Sequence, residues 1–211
     1  MLKDGTQTLT ANIPMGGFKL TGLAAGSATG NSLRYEQLFV ASALALLGTL
    51  DISTAAGGQI VFPATQNASS GANTLDDYEE QTWTPVVTFA TPGNLSIAYL
   101  QQLGLYTKIG RLVMVECIIQ TSTFTHTTAS GNLKITGFPF SNNATTEGIG
   151  ATVWSGITKA NYTNICTRLL GSGAIAELWA SGSAQAELPV TAADTPSAGT
   201  LVIRFCMSYT V

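Results

Sequence analysis

Residues 200–211 read TLVIRFCMSYTV, and every second side chain from Leu201 to Met207 is large and apolar. A period of two is typical of a β-strand that has one face on a core and the other towards solvent. The stretch therefore predicts a strand over Thr200–Thr210. The side chains on its other face are Val202, Arg204, Cys206 and Ser208.

Similar short apolar runs, separated by turn residues, continue back to residue 82. Glycine, proline, asparagine and serine lie between the runs, where they favour turns. Nine strands in about 130 residues, with no segment suited to a helix between them, predict a mainly β fold of the β-sandwich or jelly-roll kind. The other eight predicted strands are Thr84–Ala90, Ser96–Gln101, Leu105–Ile109, Leu112–Thr121, Asn132–Thr136, Gly150–Gly156, Thr163–Leu169 and Ile175–Ala180.

The composition agrees with a β protein and argues against a membrane protein. Of the 211 residues, 45% are hydrophobic and only 10% are charged, whereas a soluble domain usually has about 25% charged residues. The 30 threonines and 22 glycines favour pleated strands and turns. Although the mean hydropathy is +0.26, the most apolar run, Leu38–Leu50, is shorter than the roughly 20 residues of a membrane span. We therefore expect no membrane insertion.

Charge and cysteine usage exclude further classes of protein. The formal net charge is −3, and the lysines and arginines are spread singly, so we expect no nucleic-acid partner. The three cysteines, Cys117, Cys166 and Cys206, form no CxxC pair, which argues against a disulfide framework or a zinc site. The polar start, MLKDGTQTLT, has no apolar leader segment. We expect buried free thiols, no metal, no cofactor and folding in a reducing cytoplasm.

The first 75 residues follow a different pattern. Up to residue 30, glycines and Pro14 interrupt the apolar positions, which predicts short extended pieces. A short apolar helix is predicted over about 32–47, with Gly48 as its stop signal. Because it is too apolar to stand alone in water, it packs either in a parallel bundle of identical helices or on the protein's own sheet. The stripe along this helix consists of Leu33, Val40, Leu44 and Leu47.

Residues 51–75 are rich in alanine, glycine and serine, which predicts a linker with one short strand at Gln59–Phe62. An acidic cluster of Asp76, Asp77, Glu79 and Glu80 follows. We interpret it as a solvated, self-repelling hinge and place the domain boundary between residues 75 and 76. A divalent-cation site and a glycosidase pair are the alternatives. The run lacks the DxDxDG pattern of calcium loops, and adjacent carboxylates do not face each other across the roughly 5–10 Å that hydrolysis needs.

Two parts of the chain resemble bacteriophage tail proteins. Residues 9–38, LTANIPMGGFKLTGLAAGSATGNSLRYEQL, are similar to a segment common in phage tail fibres. Residues 72–89, ANTLDDYEEQTWTPVVTF, followed by LGLYTKIGRLVMVE at 103–116, resemble the start of the C-terminal head domains of phage tail fibres and related tail proteins. One departure is Gln81, where that pattern usually has glycine. We expect the glutamine to change the turn into the first strand and to leave the fold unchanged.

The resemblance implies a virion structural protein: a short tail fibre or a distal fibre subunit, assembled as an intertwined homotrimer. Residues 1–75 would form a stalk that trimerises and attaches to another virion protein of the baseplate, fibre or capsid. Residues 76–211 would form a head that binds a bacterial surface glycan or outer-membrane protein. Because little precedes the first motif, we expect the chain to dock on another virion protein. Its expected location is the exterior of the tail or capsid, after folding in the host cytoplasm. A capsid-mounted fibre or decoration protein and a polysaccharide depolymerase are the alternatives.

Receptor binding by such a head would use aromatic faces beside polar groups. Trp154, Tyr162 and Trp179 lie in polar settings and are the candidates, with packing in the core or at a trimer interface as the alternative. His126, the single histidine, is expected at a strand end or loop, where it would contact the receptor. Trp83, in the WTP motif, is expected to pack at the entry to the domain.

The sequence predicts no catalytic residues and no enzyme. No GxSxG elbow surrounds a serine, and the GxxxxGK[ST] and HExxH motifs are absent. A single histidine would suffice for a catalytic triad, but no other element of one is recognisable. A depolymerase would normally be a longer chain with a repetitive β-helix, and the sequence contains no such repeat.

Overall fold

The strand predicted at the end of the chain lies in the middle of the sheet. The structure, a computed structural model, describes residues 60–211. In it Val202–Thr210 pairs antiparallel with Leu112–Thr125 on one side and with Gly148–Ser155 on the other. The predicted helix at 32–47, with Leu33, Val40, Leu44 and Leu47, lies outside the described residues.

Eleven strands make up most of the described part, so the predicted mainly β class is confirmed. The regular elements other than strands are limited, among residues 60–211, to one 3-10 turn at Ala192–Asp194. The strands are β1 (Tyr78–Trp83), β2 (Val86–Thr91), β3 (Ser96–Ile109), β4 (Leu112–Thr125), β5 (Ser130–Thr136), β6 (Gly148–Ser155), β7 (Asn164–Leu169), β8 (Ala176–Gly182), β9 (Gln185–Pro189), β10 (Ala198–Gly199) and β11 (Val202–Thr210).

All eleven strands belong to one antiparallel sheet that curls over on itself. Nine of them follow each other in the order β1-β3-β4-β11-β6-β7-β8-β5-β2, while β10 pairs with β4 and β9 with β8. Phe89 of β2 nevertheless packs edge-on against Phe124 of β4, with ring centroids 6.0 Å apart. Strands distant in the hydrogen-bonding order therefore touch through their side chains and enclose a core. The finer prediction of a two-sheet sandwich or jelly roll is not confirmed.

The alternation along β11 decides which side chains enter this core. Ile203, Phe205 and Met207 are buried, whereas Arg204 and Cys206 are exposed. The expectation of buried thiols is therefore wrong for Cys206, because its position in the alternation faces outward. The same alternation runs along β4 and β6, whose inward residues meet those of β11. Removal of these apolar side chains from water, worth about 25 cal/mol per Å² of buried surface, is the main force that closes the sheet. The largest fully buried side chains include Phe89, Phe124, Ile119, Leu133, Ile135, Leu169, Leu178 and Leu201.

The strand predictions differ from the structure where polar residues form strands. β1, with the sequence YEEQTW, and β9, with QAELP, have too few apolar residues to be recognised by alternation, and neither was predicted. β3 is one continuous strand where two were predicted, because Gly104 continues the ladder with β4. The prediction of a strand at Gln59–Phe62 was wrong for the part that the structure describes, since residues 60–62 form no strand.

The interpretation of the acidic cluster as a solvated hinge was also wrong. Glu79 and Glu80 belong to β1, which pairs with β3 along its whole length. Asp77 is buried and forms an ion pair with Lys108 of β3, which is itself buried. The charge that neutralises Asp77 lies 31 residues further along the chain, so the local sequence could not reveal it.

Two hydrogen bonds hold the linker residues before β1, and one of them comes from the same lysine. Lys108 Nζ donates a second hydrogen bond to Gln66 Oε1 at 3.1 Å, and the backbone N–H of Ser69 donates to Asp76 Oδ2 at 2.8 Å. The compact unit accordingly begins at Ile60 and ends at Val211, while a functional boundary between 75 and 76 stays a prediction. Within this unit, no helix has the length and apolar character needed to cross a membrane.

The outward side chains divide the sheet into two adjoining surfaces. On β3, β4 and β6 they include many exposed aliphatic residues, and β11, which lies between β4 and β6, adds Arg204, Cys206 and Ser208. On β7, β8 and β9 they are charged and aromatic. The two surfaces meet where Ile149 of β6 and Arg168 of β7 are register partners.

Candidate functional site

The charged and aromatic surface is built around Arg168 of β7. Arginine at this position points outward because its neighbours Thr167 and Leu169 point into the core. β8 places Trp179 beside it, and β9, the next strand, adds Glu187. Glu147, immediately before β6, completes the group. We call Glu147, Arg168, Trp179 and Glu187 the Arg168 cluster.

Short contacts hold the Arg168 cluster together. Arg168 Nε donates to Glu147 Oε2 at 2.6 Å, and Nη1 donates to Glu187 Oε1 at 3.1 Å. The guanidinium carbon lies 4.6 Å from the centre of the Trp179 ring, in the position of a cation–π contact. The guanidinium is thus fixed by partners from three different segments of the chain. Such a fixed arrangement costs little conformational entropy when a ligand binds.

The electrostatics of the cluster favour a polar ligand. The hydrogen bond to Glu147 raises the pKa of Arg168, burial opposes this, and the charges of Glu147 and Glu187 add to the rise. Arg168 is therefore a permanent cation between two carboxylates. Together they offer hydrogen-bond donors and acceptors around the half-exposed Trp179 ring. The guanidinium lies over one face of this ring, so the uncovered part of the ring and the polar groups around it are the contacts that a ligand could use.

A second row of polar groups lies next to the cluster on the same sheet. Glu177 of β8 is the register partner of Arg168 and accepts a hydrogen bond from Asn132 Nδ2 at 2.9 Å. Lys134 Nζ of β5 lies 4.0 Å from the same carboxylate. The indole N–H of Trp179 has no hydrogen-bond partner among the described residues. A buried donor without an acceptor is uncommon and costs stability; because this N–H is shielded from solvent, it is not one of the groups that the cluster offers to a ligand.

Tyr162 lies at the other side of the β8–β9 hairpin. Its hydroxyl donates to the carbonyl oxygen of Ala186, the residue before Glu187, at 2.9 Å. Lys159 Nζ lies 5.9 Å from the Tyr162 ring centre. Two of the residues predicted to bind a receptor, Tyr162 and Trp179, are therefore brought to the same hairpin.

The other two predicted receptor residues are placed elsewhere. Trp154 of β6 faces inward, opposite Ile203, and packs against the core. His126 is only 7% exposed, contacts the rings of Phe89 and Phe124, and shares a 2.9 Å hydrogen bond with Thr195 Oγ1. A side chain in this position is not offered to a receptor. Tyr162 and Trp179 remain as candidates, and because Tyr162 also packs partly against the core, Trp179 is the stronger of the two.

Sequence reasoning missed the three charged members of the cluster. Glu147, Arg168 and Glu187 are separated by 19 to 21 positions, and no local motif links them. The available signal was the outward position of Arg168 in a strand, which does not identify its partners. No group of three or more metal-ligating side chains occurs in the part of the chain that the structure describes.

Comparison with known proteins gives one distant structural likeness. No family model matches the chain, and no curated protein matches it. Among solved structures, the described fold is similar to the crystal structure of the Dettilon tailspike protein (gp208), with a TM-score of 0.48 and 16% sequence identity. The match covers 62% of this chain and 23% of the tailspike chain, so this chain spans less than a quarter of that protein.

Proposed function

We propose that this protein is a non-enzymatic adhesion subunit of a bacteriophage virion, whose β domain binds a bacterial surface glycan through the Arg168 cluster. The observation that supports this best is the Trp179 ring, held by a fixed guanidinium between two carboxylates on the outside of a rigid sheet. The resemblance of residues 9–38 and 72–116 to phage tail fibres supplies the biological setting.

The proposed site suits weak recognition that is strengthened by multiplicity. A half-exposed ring and a few polar groups provide a small contact area, so one site would bind with low affinity. In the proposed homotrimer, three such sites on one body would act together, and binding through several weak sites raises the overall affinity by about 10²–10⁴. The N-terminal region would hold the trimer on another virion protein, which places the protein on the exterior of the virion.

Glycan binding tests the proposal directly. We would apply the purified 211-residue protein to an array of bacterial surface polysaccharides and measure retained protein. Trp179→Ala and Arg168→Gln should each lower the retention by about tenfold or more, since each removes a central contact of the site. Retention of both variants at the level of the unmodified protein would contradict the proposed site.

Matched controls separate the site from general effects. Tyr78→Ala removes an aromatic side chain that is exposed on β1, and Arg111→Gln removes an exposed arginine outside the cluster. Both should leave glycan retention unchanged. Thermal unfolding of each variant would identify any loss of retention that results from a destabilised fold.

The same samples address the two alternatives. Release of new reducing ends from a bound polysaccharide would contradict the non-enzymatic proposal and favour a depolymerase. Imaging of whole particles with a labelled antibody would distinguish a tail location from a capsid location. We propose the tail, because the two sequence motifs resemble tail fibre segments.

A further inference from the structure

The second outward surface of the sheet is unusually apolar. Seven aliphatic side chains lie on it with exposed fractions of 41–67%. They come from the three strands β3, β4 and β6, and they point away from the core. We call this set the apolar face: Leu103, Leu105, Ile109, Leu112, Met114, Ile149 and Val153.

The apolar face spans β3, β4 and β6, with smaller and polar residues of β11 between β4 and β6. Ile109 is the register partner of Leu112, and Thr107 is the partner of Met114. Strand β11 lies next to β4 and contributes Cys206 and Ser208, which are small. A groove of about 540 Å³ lies on this surface. Its lining includes Leu105, Met114, Ile149 and Cys206. The small residues of β11 thus form the floor of a groove between larger aliphatic side chains.

The area of the face is at the upper end of what a monomer exposes as one apolar patch. At these exposed fractions the seven side chains present roughly 600 Å² of surface, which is the upper end for the largest apolar patch of a monomer. A stable protein–protein interface buries about 800 Å² on each partner. Residues that border the face would supply the rest of this area. The size of the face therefore fits one side of an ordinary protein–protein interface.

The charges on the face are balanced. Glu116 of β4 and Arg204 of β11 both point outward on this surface, opposite Cys206 and Ile118 respectively. Neither forms an ion pair within residues 60–211. A partner that covered the face would have to supply one negative and one positive group, because an unpaired buried charge is costly. A second copy of this chain supplies both.

We propose that the apolar face is the surface through which copies of this chain pack against one another. The inference deepens the proposed homotrimer and rests on it, since it specifies which side of the β domain faces the other copies. It also leaves the Arg168 cluster outside the contact, on the adjoining strands. In a closed trimer each contact is heterologous, so one part of the face packs against a different part of the face on the next copy, where Glu116 of one copy can pair with Arg204 of the other.

Cys206 provides a built-in reporter for this surface. It is exposed on the groove, whereas Cys117 is 2% exposed and burial raises its pKa to about 12. Burial also raises the pKa of Cys166. Replacement of Cys166 with serine therefore leaves Cys206 as the accessible thiol of the chain, and its reaction rate with an aromatic disulfide reagent reports whether the face is covered.

The experiment uses the full 211-residue chain with Cys166→Ser and compares three proteins. The parent should have a molar mass of three times 21.9 kDa by light scattering, and its Cys206 should react slowly. Val153→Asp places a charge on the apolar face and should increase the reaction rate by more than about tenfold. Val86→Asp introduces the same change at an exposed valine of β2, away from the face, and should behave as the parent.

Three results would overturn the inference. Fast reaction of Cys206 in a trimeric parent would show that another surface joins the copies, and glycan binding could still proceed as proposed. A slow reaction in a monomeric parent would show that residues 1–59 of the same chain cover the face, and would contradict the proposed trimer as well. Equal rates for Val153→Asp and Val86→Asp, in variants that retain the thermal unfolding transition of the parent, would show that the face is not the contact. Met114→Lys serves as a second variant if Val153→Asp does not fold.

Discussion

The indole of Trp83 lies directly on Gly104 of the neighbouring strand. The two residues are register partners in the β1–β3 ladder, and a Cβ atom at position 104 would come within 2.3 Å of the indole nitrogen. The indole N–H donates to the carbonyl oxygen of Leu105 at 3.2 Å, and the ring packs on Phe138 with centroids 4.7 Å apart. The absent side chain of Gly104 therefore allows Trp83 to cover the core where the domain begins.

Replacement of Gly104 should consequently displace Trp83. We expect Gly104→Ala to lower the free energy of unfolding by about 1–3 kcal/mol, as overpacking of a filled site does. Chemical denaturation followed by tryptophan fluorescence would measure it. Gly173→Ala is the control, because the nearest atoms to an added Cβ there are 3.7 Å away. An equal effect of the two substitutions would contradict this account.

The buried pair of Lys108 and Asp77 allows a second test. Lys108→Met leaves the Asp77 carboxylate buried without its cation and should cost about 3–5 kcal/mol of unfolding free energy. The double variant Asp77→Leu, Lys108→Met removes both charges and should be more stable than Lys108→Met alone. Denaturation of both proteins under identical conditions measures the difference. A double variant less stable than the single one would show that the two residues do not act as a pair.

His126 should act as a structural residue. His126→Ala removes the ring that packs on Phe89 and Phe124 and should cost about 2–4 kcal/mol. Glycan retention per folded molecule should not change, since the side chain is buried. A loss of retention without a loss of stability would instead restore His126 as a receptor contact.

Asp194 should make stability depend on acid pH. Burial raises the pKa of Asp194, but hydrogen bonds from Lys159 and from the backbone and hydroxyl of Thr191 lower it more, so that it lies below the ordinary value of 3.8. A lowered pKa contributes stability above the ordinary value, and this contribution is lost as the pH falls through the folded-state pKa.

We therefore expect the free energy of unfolding to decrease between about pH 5 and pH 2, and Asp194→Asn to flatten that part of the profile. The asparagine variant should also be less stable than the parent at neutral pH, because it loses the ion pair at 2.8 Å with Lys159. Lys159→Met removes the cation of the same pair and should flatten the same region. Parallel profiles of the parent and Asp194→Asn would contradict the assignment.

Much of the fold could be predicted from the sequence, because alternation is a local property. β11 shows its apolar period of two without reference to any other strand, and β4 and β7 were recognised as short apolar runs between turn residues. Polar β1 could not be recognised in this way. β1 is stabilised by its pairing with β3 and by the adjacent buried ion pair of Asp77 with Lys108. Both are contacts between distant parts of the chain.

The candidate site shows the same division. The sequence by itself determined a mainly β protein of low charge, with outward polar residues in its strands and with Trp179 and Tyr162 in polar settings. Only the tertiary structure decided that Trp179 meets Arg168 and its two carboxylates, that His126 is buried and that Trp154 packs against the core. The physical reason is that periodicity specifies the face of a strand on which a residue lies, whereas the order and curl of the strands decide which faces meet.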